Sequence, residues 1–269
     1  MSKDAASTWS IDLPTATRRC CLPLPTRWSR LKPDVILATA VIAAVAVRKA
    51  TSTIPIVTPA LADAVHLGLI RSEARPAGNV TGIEPYIAGL PAKQIEFARE
   101  IMPGASTIGL LTNLKDPKAP PQAEELQASA RTANIKIVSA DANEPDQIEG
   151  ALRTLSDERA DAVIVLQTSM LLTYSGQIAA LALEKRLPTV HGYREHVAAG
   201  GLISYGVDLR WCFYRGAYFV DRILRGTPPG ELPIEFPTQM FLSINLRTAK
   251  ALGITIEPML LGRADEVIE

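Results

Sequence analysis

The side chains best able to hold a small molecule lie just past short runs rich in Val and Ile. Thr39 and Ala40 follow one run, Asp63 another and Asn113 a third. Gln167, Thr168 and Ser169 follow a fourth. Tyr193 lies two residues beyond His191, and Tyr205 and Asp208 close the series. Hydroxyls, amides, aromatic rings and two carboxylates suit a small polar ligand held by hydrogen bonds. They do not supply a nucleophile with its base and an orienting third group, so catalysis is not expected. The carboxylates have a second reading. Asp208 can cap a helix starting at Leu209. Asp63 can cap a helix starting at Ala64, a role worth about 1 kcal/mol, or face a ligand ammonium.

Other chemistry finds no parts. His191 and His196 are five apart with Gly192 between them, whereas ligands on one helix face want a spacing of three or four. Cys20, Cys21 and Cys212 have neither metal-site nor redox spacing, and Cys212 between Trp211 and Phe213 reads as a packing residue. A glycine-rich dinucleotide motif after a strand and a P-loop are both missing from the sequence, so no metal and no cofactor is expected.

The elements that must position these residues are read from periodicity. Continuous apolar runs predict strands over 34–39, 54–58, 79–83, 107–112, 135–140, 161–166, 188–191 and 202–206. Amphipathic stretches predict helices over 42–49, 63–71, 91–102, 122–132, 146–158, 174–185 and 209–225. Asp146 is read as an N-terminal cap, and Gly226 with Pro228 and Pro229 as a stop. This alternation predicts an α/β chain with doubly wound, mostly parallel sheet. In such sheets ligands bind beyond the carboxyl ends of the strands, which is why the residues named first are the candidates. Gly82, Pro85, Gly89 and Pro91 mark a break between lobes, with further crossings near 204–208 and 235–245.

Composition narrows the partners. Lys+Arg and Asp+Glu are 28 each, so a net charge of zero argues against nucleic acid or an anionic membrane surface. Aromatics are 5%, leaving few stacking platforms for single strands. The longest apolar stretch, 36–47, falls short of the roughly 20 residues that span a bilayer, so no direct membrane insertion is expected.

Several blocks carry a resemblance. These are Lys32-Pro-Asp-Val-Ile-Leu-Ala-Thr39, Ser52-Thr-Ile-Pro-Ile-Val57 and Ala74-Arg-Pro-Ala-Gly-Asn-Val-Thr-Gly82 in the first third. Later come Val197-Ala-Ala-Gly-Gly-Leu-Ile-Ser-Tyr-Gly206, Tyr218-Phe-Val-Asp-Arg-Ile-Leu-Arg-Gly226, Ile244-Asn-Leu-Arg-Thr-Ala-Lys-Ala-Leu-Gly253 and Arg263-Ala-Asp-Glu-Val-Ile268. Together they resemble the ABC-transporter substrate-binding proteins of the tryptophan-binding (TrpX-like) type. The resemblance implies a two-lobed type I periplasmic-binding-protein fold. It implies a small-molecule ligand in the cleft, a zwitterion such as an amino acid, permease subunits as partners, and a periplasmic or cell-surface location. Lobe one is expected over 31–84 and 206–236, lobe two over 85–205 and 237–269. Cleft residues implied by the resemblance are Thr39, Asp63, Asn113, the 167–169 turn and Tyr193.

Departures are visible. The family reads Ala-Thr-Gly where this chain has Ala38-Thr39-Ala40, Asp-Pro-Val at Asp63-Ala64-Val65, and Asn-Pro at Asn113-Leu114. Residues 1–30 differ from the rest in Arg, Pro, Cys and Trp content and lack the family's signal peptide and first two strand–helix units. They read as a segment foreign to the family, upstream of an incomplete lobe one. The alternatives are an effector-binding domain of a regulator with the same fold, or a non-functional truncated member.

Overall fold

Runs of Val, Ile and Leu become strands covered on both faces, and the amphipathic stretches between them become helices. The computed structural model of the chain describes residues 33–269, so the expectation for residues 1–30 lies outside the described part. A small parallel sheet has the order β1-β2-β3, formed by Ile36–Leu37, Ile56–Thr58 and Val80–Gly82. Helix α1, Val41–Ala50, joins its first two strands. A seven-stranded sheet holds β4 (Thr107–Thr112), β5 (Lys136–Asp141), β6 (Ala162–Val165), β7 (Thr189–His191), β8 (Ile203–Val207), β9 (Met240–Asn245) and β10 (Glu266–Ile268). Its order is β10-β9-β8-β7-β6-β4-β5, parallel throughout except between β8 and β9.

Period-two alternation decides which residue goes to which face of the large sheet. Ile108, Leu110 and Ile164 enter one core with Ile95 and Phe97 of α2 (Leu90–Ile101) and Leu126 of α3 (Ala119–Thr132). Leu111, Val163 and Val165 enter the other, with Leu152 and Leu155 of α4 (Ile148–Asp157) and Ile178 of α6 (Ser175–Glu184). A short α5 (Ser169–Thr173) precedes α6, and α7 (Arg194–Ala198) follows β7. The small sheet has its own core around Val41, Ile56, Leu61 and Val80. The long helix α8, Leu209–Leu224, leaves the large sheet after β8 and packs back on β2 and β3. Helices α9 (Leu246–Leu252) and α10 (Pro258–Leu261) lie between β9 and β10.

The two sheets are joined where the chain passes from β3 to α2. Ile83 pairs with Glu235 on the returning segment, and the Glu84 N–H donates to the Glu235 carbonyl at 2.9 Å. At the far end of the passage the Tyr86 hydroxyl and the Gly89 N–H both donate to the Glu125 carboxylate on α3. Gly82 closes β3 with φ +149°, and a Cβ there would lie 1.9 Å from the Thr58 carbonyl oxygen. Only glycine fits such an approach.

Several expectations need correction. Residues 63–71 form turns and bends rather than a helix, because Asp63 (φ +46°) and Gly68 (φ +66°) break the run. Asp146 is not the cap: Glu144 occupies that position, in a reciprocal capping box with Gln147 and with Pro145 at the first helical position. The crossing placed at 235–245 ends earlier, since Met240–Asn245 is strand β9, antiparallel to β8. Strands β9 and β10 and helices α5, α7, α9 and α10 were not anticipated. Each spans seven residues or fewer, too short to show a period.

Candidate functional site

In a doubly wound sheet the order of strands reverses at one place, and a crevice opens beyond the carboxyl ends of the strands there. In the large sheet β5 lies on one side of β4 and β6 on the other, so the reversal falls between β4 and β6. Beyond β4 stand Asn113, Asp116 and Lys118; beyond β6 stand Gln167, Thr168 and Ser169. Asp116 ties the two loops together. One of its carboxylate oxygens accepts the Lys118 N–H at 3.1 Å, and the other accepts the Ser169 N–H at 2.9 Å.

The predicted residues divide into three groups. Asn113, Thr168, Ser169 and Tyr193 join this end of the sheet. The Asn113 side-chain carbonyl accepts the Lys115 N–H at 3.2 Å, and its main-chain carbonyl accepts the Asp116 N–H at 3.0 Å. Thr168 is buried, and its hydroxyl has no hydrogen-bond partner among the described residues. Tyr193 is buried in an apolar cluster that spans both sheets: Val57 and Ile83 come from the small one, Val207 from the large one, and Leu209, Cys212 and Phe219 from α8. Burial drives the Tyr193 phenol well above its ordinary pKa.

A second group serves the scaffold. The Gln167 side-chain amide donates to the Gly192 carbonyl at 3.0 Å, and its main-chain N–H donates to the Gln122 side-chain oxygen at 3.0 Å. A Cβ on Gly192 would come within 2.3 Å of the Gln167 amide nitrogen, so the two residues fit only as this pair. Tyr205 points away from the crevice. Its ring packs 4.9 Å from Phe97, in the core beneath α2, because alternation along β8 sends Ser204 and Gly206 to the other face. Asp208 is the cap of α8, its carboxylate accepting the Arg210 N–H at 2.9 Å.

The third group lies on the small sheet's side. Thr39 and Ala40 are half-buried past the end of β1, Ala40 in extended backbone at the start of α1. Asp63 is exposed and caps no helix. Its N–H instead donates to the Glu84 carboxylate at 3.0 Å.

Sequence reading missed a set of groups that meet at the seam between the sheets. Lys118 is only 6% exposed and interacts electrostatically with Asp116, Cys212 and Glu84. Burial lowers the pKa of its ammonium, against the pull of those neighbours. Burial likewise raises the Glu84 carboxyl and pushes the Cys212 thiol up to about 12, so the thiol stays neutral. The signal was present in Asp116-Pro117-Lys118, a charged run between a strand and a helix, only a few residues beyond Asn113. His191 and His196 lie nearby as a buried stacked pair, with ring centroids 4.5 Å apart. Two surface hollows of about 330 Å³ each lie elsewhere. One is at the opposite end of the large sheet beside Asp161 and Pro188, the other beside Arg48 and Lys49 of α1.

Comparison with known proteins matches this architecture. The model of a family described as ABC transporter substrate binding protein matches residues 27–268. A tyrosine-binding protein of Clostridioides difficile (strain R20291) is 26% identical over 223 residues, 83% of this chain; the chain spans 64% of that relative's length. A crystal structure of a conserved domain protein from Vibrio cholerae superposes with a TM-score of 0.85 at 28% identity, covering 90% of this chain and 81% of that one. A domain from Streptococcus pneumonia in complex with L-Trp superposes with a TM-score of 0.84 at 23% identity, covering 91% and 82%. The two sheets are the lobes of a type I periplasmic-binding-protein fold. The chain belongs to the family of ABC transporter substrate binding proteins, whose members bind solutes.

Proposed function

We propose that the chain binds a small zwitterion, an amino acid with an apolar or aromatic side chain, at the seam between its two lobes. Lobe one would comprise 31–84 and 206–236, lobe two 85–205 and 237–269. The bound solute would be presented to the permease subunits of an importer on the outer side of the cytoplasmic membrane. Binding without chemistry is the expected activity.

One observation carries the reading. The end of the sheet where the order of strands reverses holds charges of both signs and an unpartnered buried hydroxyl, and the apolar cluster of Tyr193 and Cys212 adjoins them. A molecule with charged ends and an apolar body fits that division. The relative that binds tyrosine supports the same class of ligand. Calorimetry of the described chain against amino acids, small carboxylates, sugars and nucleotides tests it. Binding is expected among the aromatic and large apolar amino acids. Tight binding of sugars or nucleotides alone overturns the reading.

A further inference from the structure

Lys118 is a cation in a place that does not need one for folding. It stands at the N-terminal end of α3 with 6% of its surface exposed, and its ammonium makes no hydrogen bond or salt bridge among the described residues. Its acidic neighbours are already engaged. Both oxygens of Asp116 accept main-chain N–H groups, and Glu84 accepts the N–H of Asp63. The third group that interacts with it electrostatically is the Cys212 thiol. A lysine side chain largely withdrawn from water without a salt-bridge partner gains little from its charge in the fold, and an apolar side chain of the same length would fill the space at no greater cost. The Thr168 hydroxyl, buried and unpartnered, belongs to the loop that Asp116 ties to Lys118. Two donors without a protein partner among the described residues therefore stand on adjoining loops at the reversal point of the sheet.

We propose that Lys118 determines specificity by taking the carboxylate of the bound ligand, with the Thr168 hydroxyl donating to the same group. This rests on the seam being the ligand site. A ligand ammonium would face Glu84 and Asp116, whose carboxylates each accept main-chain N–H groups and keep further lone pairs.

The test compares wild type with Lys118→Met using L-tyrosine, its amide and its des-amino analogue as probes. Wild type is expected to bind the acid about 10- to 100-fold more tightly than the amide, the range of a charge-assisted hydrogen bond, and Lys118→Met to lose that preference. Without ligand, Lys118→Met is expected to melt at the wild-type temperature or above it. A clear fall in that temperature overturns the inference, because the ammonium would then have a protein partner. Equal binding of acid and amide by wild type overturns it while the amino-acid reading stands. Binding of the des-amino acid but not of tyrosine sinks the amino-acid reading and supports Lys118 as the carboxylate's partner. If wild type binds no carboxylate of the set, the inference falls.

Discussion

The two sheets differ in what their central strands rest against. In the large sheet β4 runs for six residues, paired along its length with β5 and from Ile108 to Leu111 with β6, and two separate cores cover its faces. In the small sheet the central strand β2 has three residues, and its neighbour β1 has two, with Leu37 43% exposed. Yet β2 is as buried as β4, because α8 returns from the large sheet to cover it. The large sheet is therefore a cooperative unit in its own right. The small one depends on segments borrowed from the other side of the seam. Native-state hydrogen exchange should show this directly: β4 and β6 amides exchanging through global unfolding, β2 amides through a smaller opening.

The largest expected effect comes from the large sheet's core. Ile164→Ala removes a fully buried side chain and should cost about 2–5 kcal/mol in urea unfolding, lowering protection most in β4 and β6. A greater loss of protection in β2 than in β4 would break the comparison. Gly82→Ala should rank next. Its Cβ would collide with the Thr58 carbonyl, and strain of about 1–3 kcal/mol should fall on β2 and β3 while β4 keeps its exchange rates.

Acid should come third. Burial lowers the pKa of both His191 and His196, the latter to about 4, against an ordinary value near 6.5. The unfolded chain thus takes up protons that the folded one refuses. Stability is full above about pH 6.5 and falls below it, by up to about 1.4 kcal/mol per pH unit for each histidine. His196→Phe should flatten the profile between pH 6.5 and 4, and an unchanged slope would refute the assignment. The smallest effect should be that of Arg194→Met. It breaks the pair with Glu266 that ties α7 to β10, and a partly exposed pair is worth about 1 kcal/mol or less. A greater loss would mean that the edge of the large sheet is as dependent on single contacts as the small sheet is.

Legibility in the sequence followed the length and spacing of elements and not the divide between sheets: β2 and β3 of the small sheet were read, whereas β9 and β10 of the large one were missed. Strands of four to six residues flanked by long amphipathic helices, such as Thr107–Thr112, were read to the residue or nearly so, because their periodicity is long enough to be unambiguous. The turns at 63–71 imitated a helix because Val65 and Leu69 are spaced for one. What defeated that reading is positive φ at Asp63 and Gly68, a property of backbone and not of pattern. Near the proposed site, the ends of strands could be found from sequence, and Asn113, Thr168 and Tyr193 lie at the end of the sheet expected for them. Tyr205 and Gln167 were placed on the wrong errand, since a polar residue at a strand end looks the same whether it meets a ligand, a ring or a carbonyl. Lys118 escaped notice because lysine is normally a solvated residue, and only the fold shows it buried.

The passage from β3 to α2 has a mechanical consequence. It is clamped at Glu84 by the returning chain and at Tyr86 and Gly89 by Glu125, and between the clamps stands Pro85. The proline ring fixes its own φ and confines Glu84 to extended backbone. Two torsions of this connection, ψ of Glu84 and φ of Pro85, are thereby restricted. A swing of one sheet against the other must also turn the passages from β8 to α8 and from Glu235 to β9, so a substitution at Pro85 would loosen one strut of several.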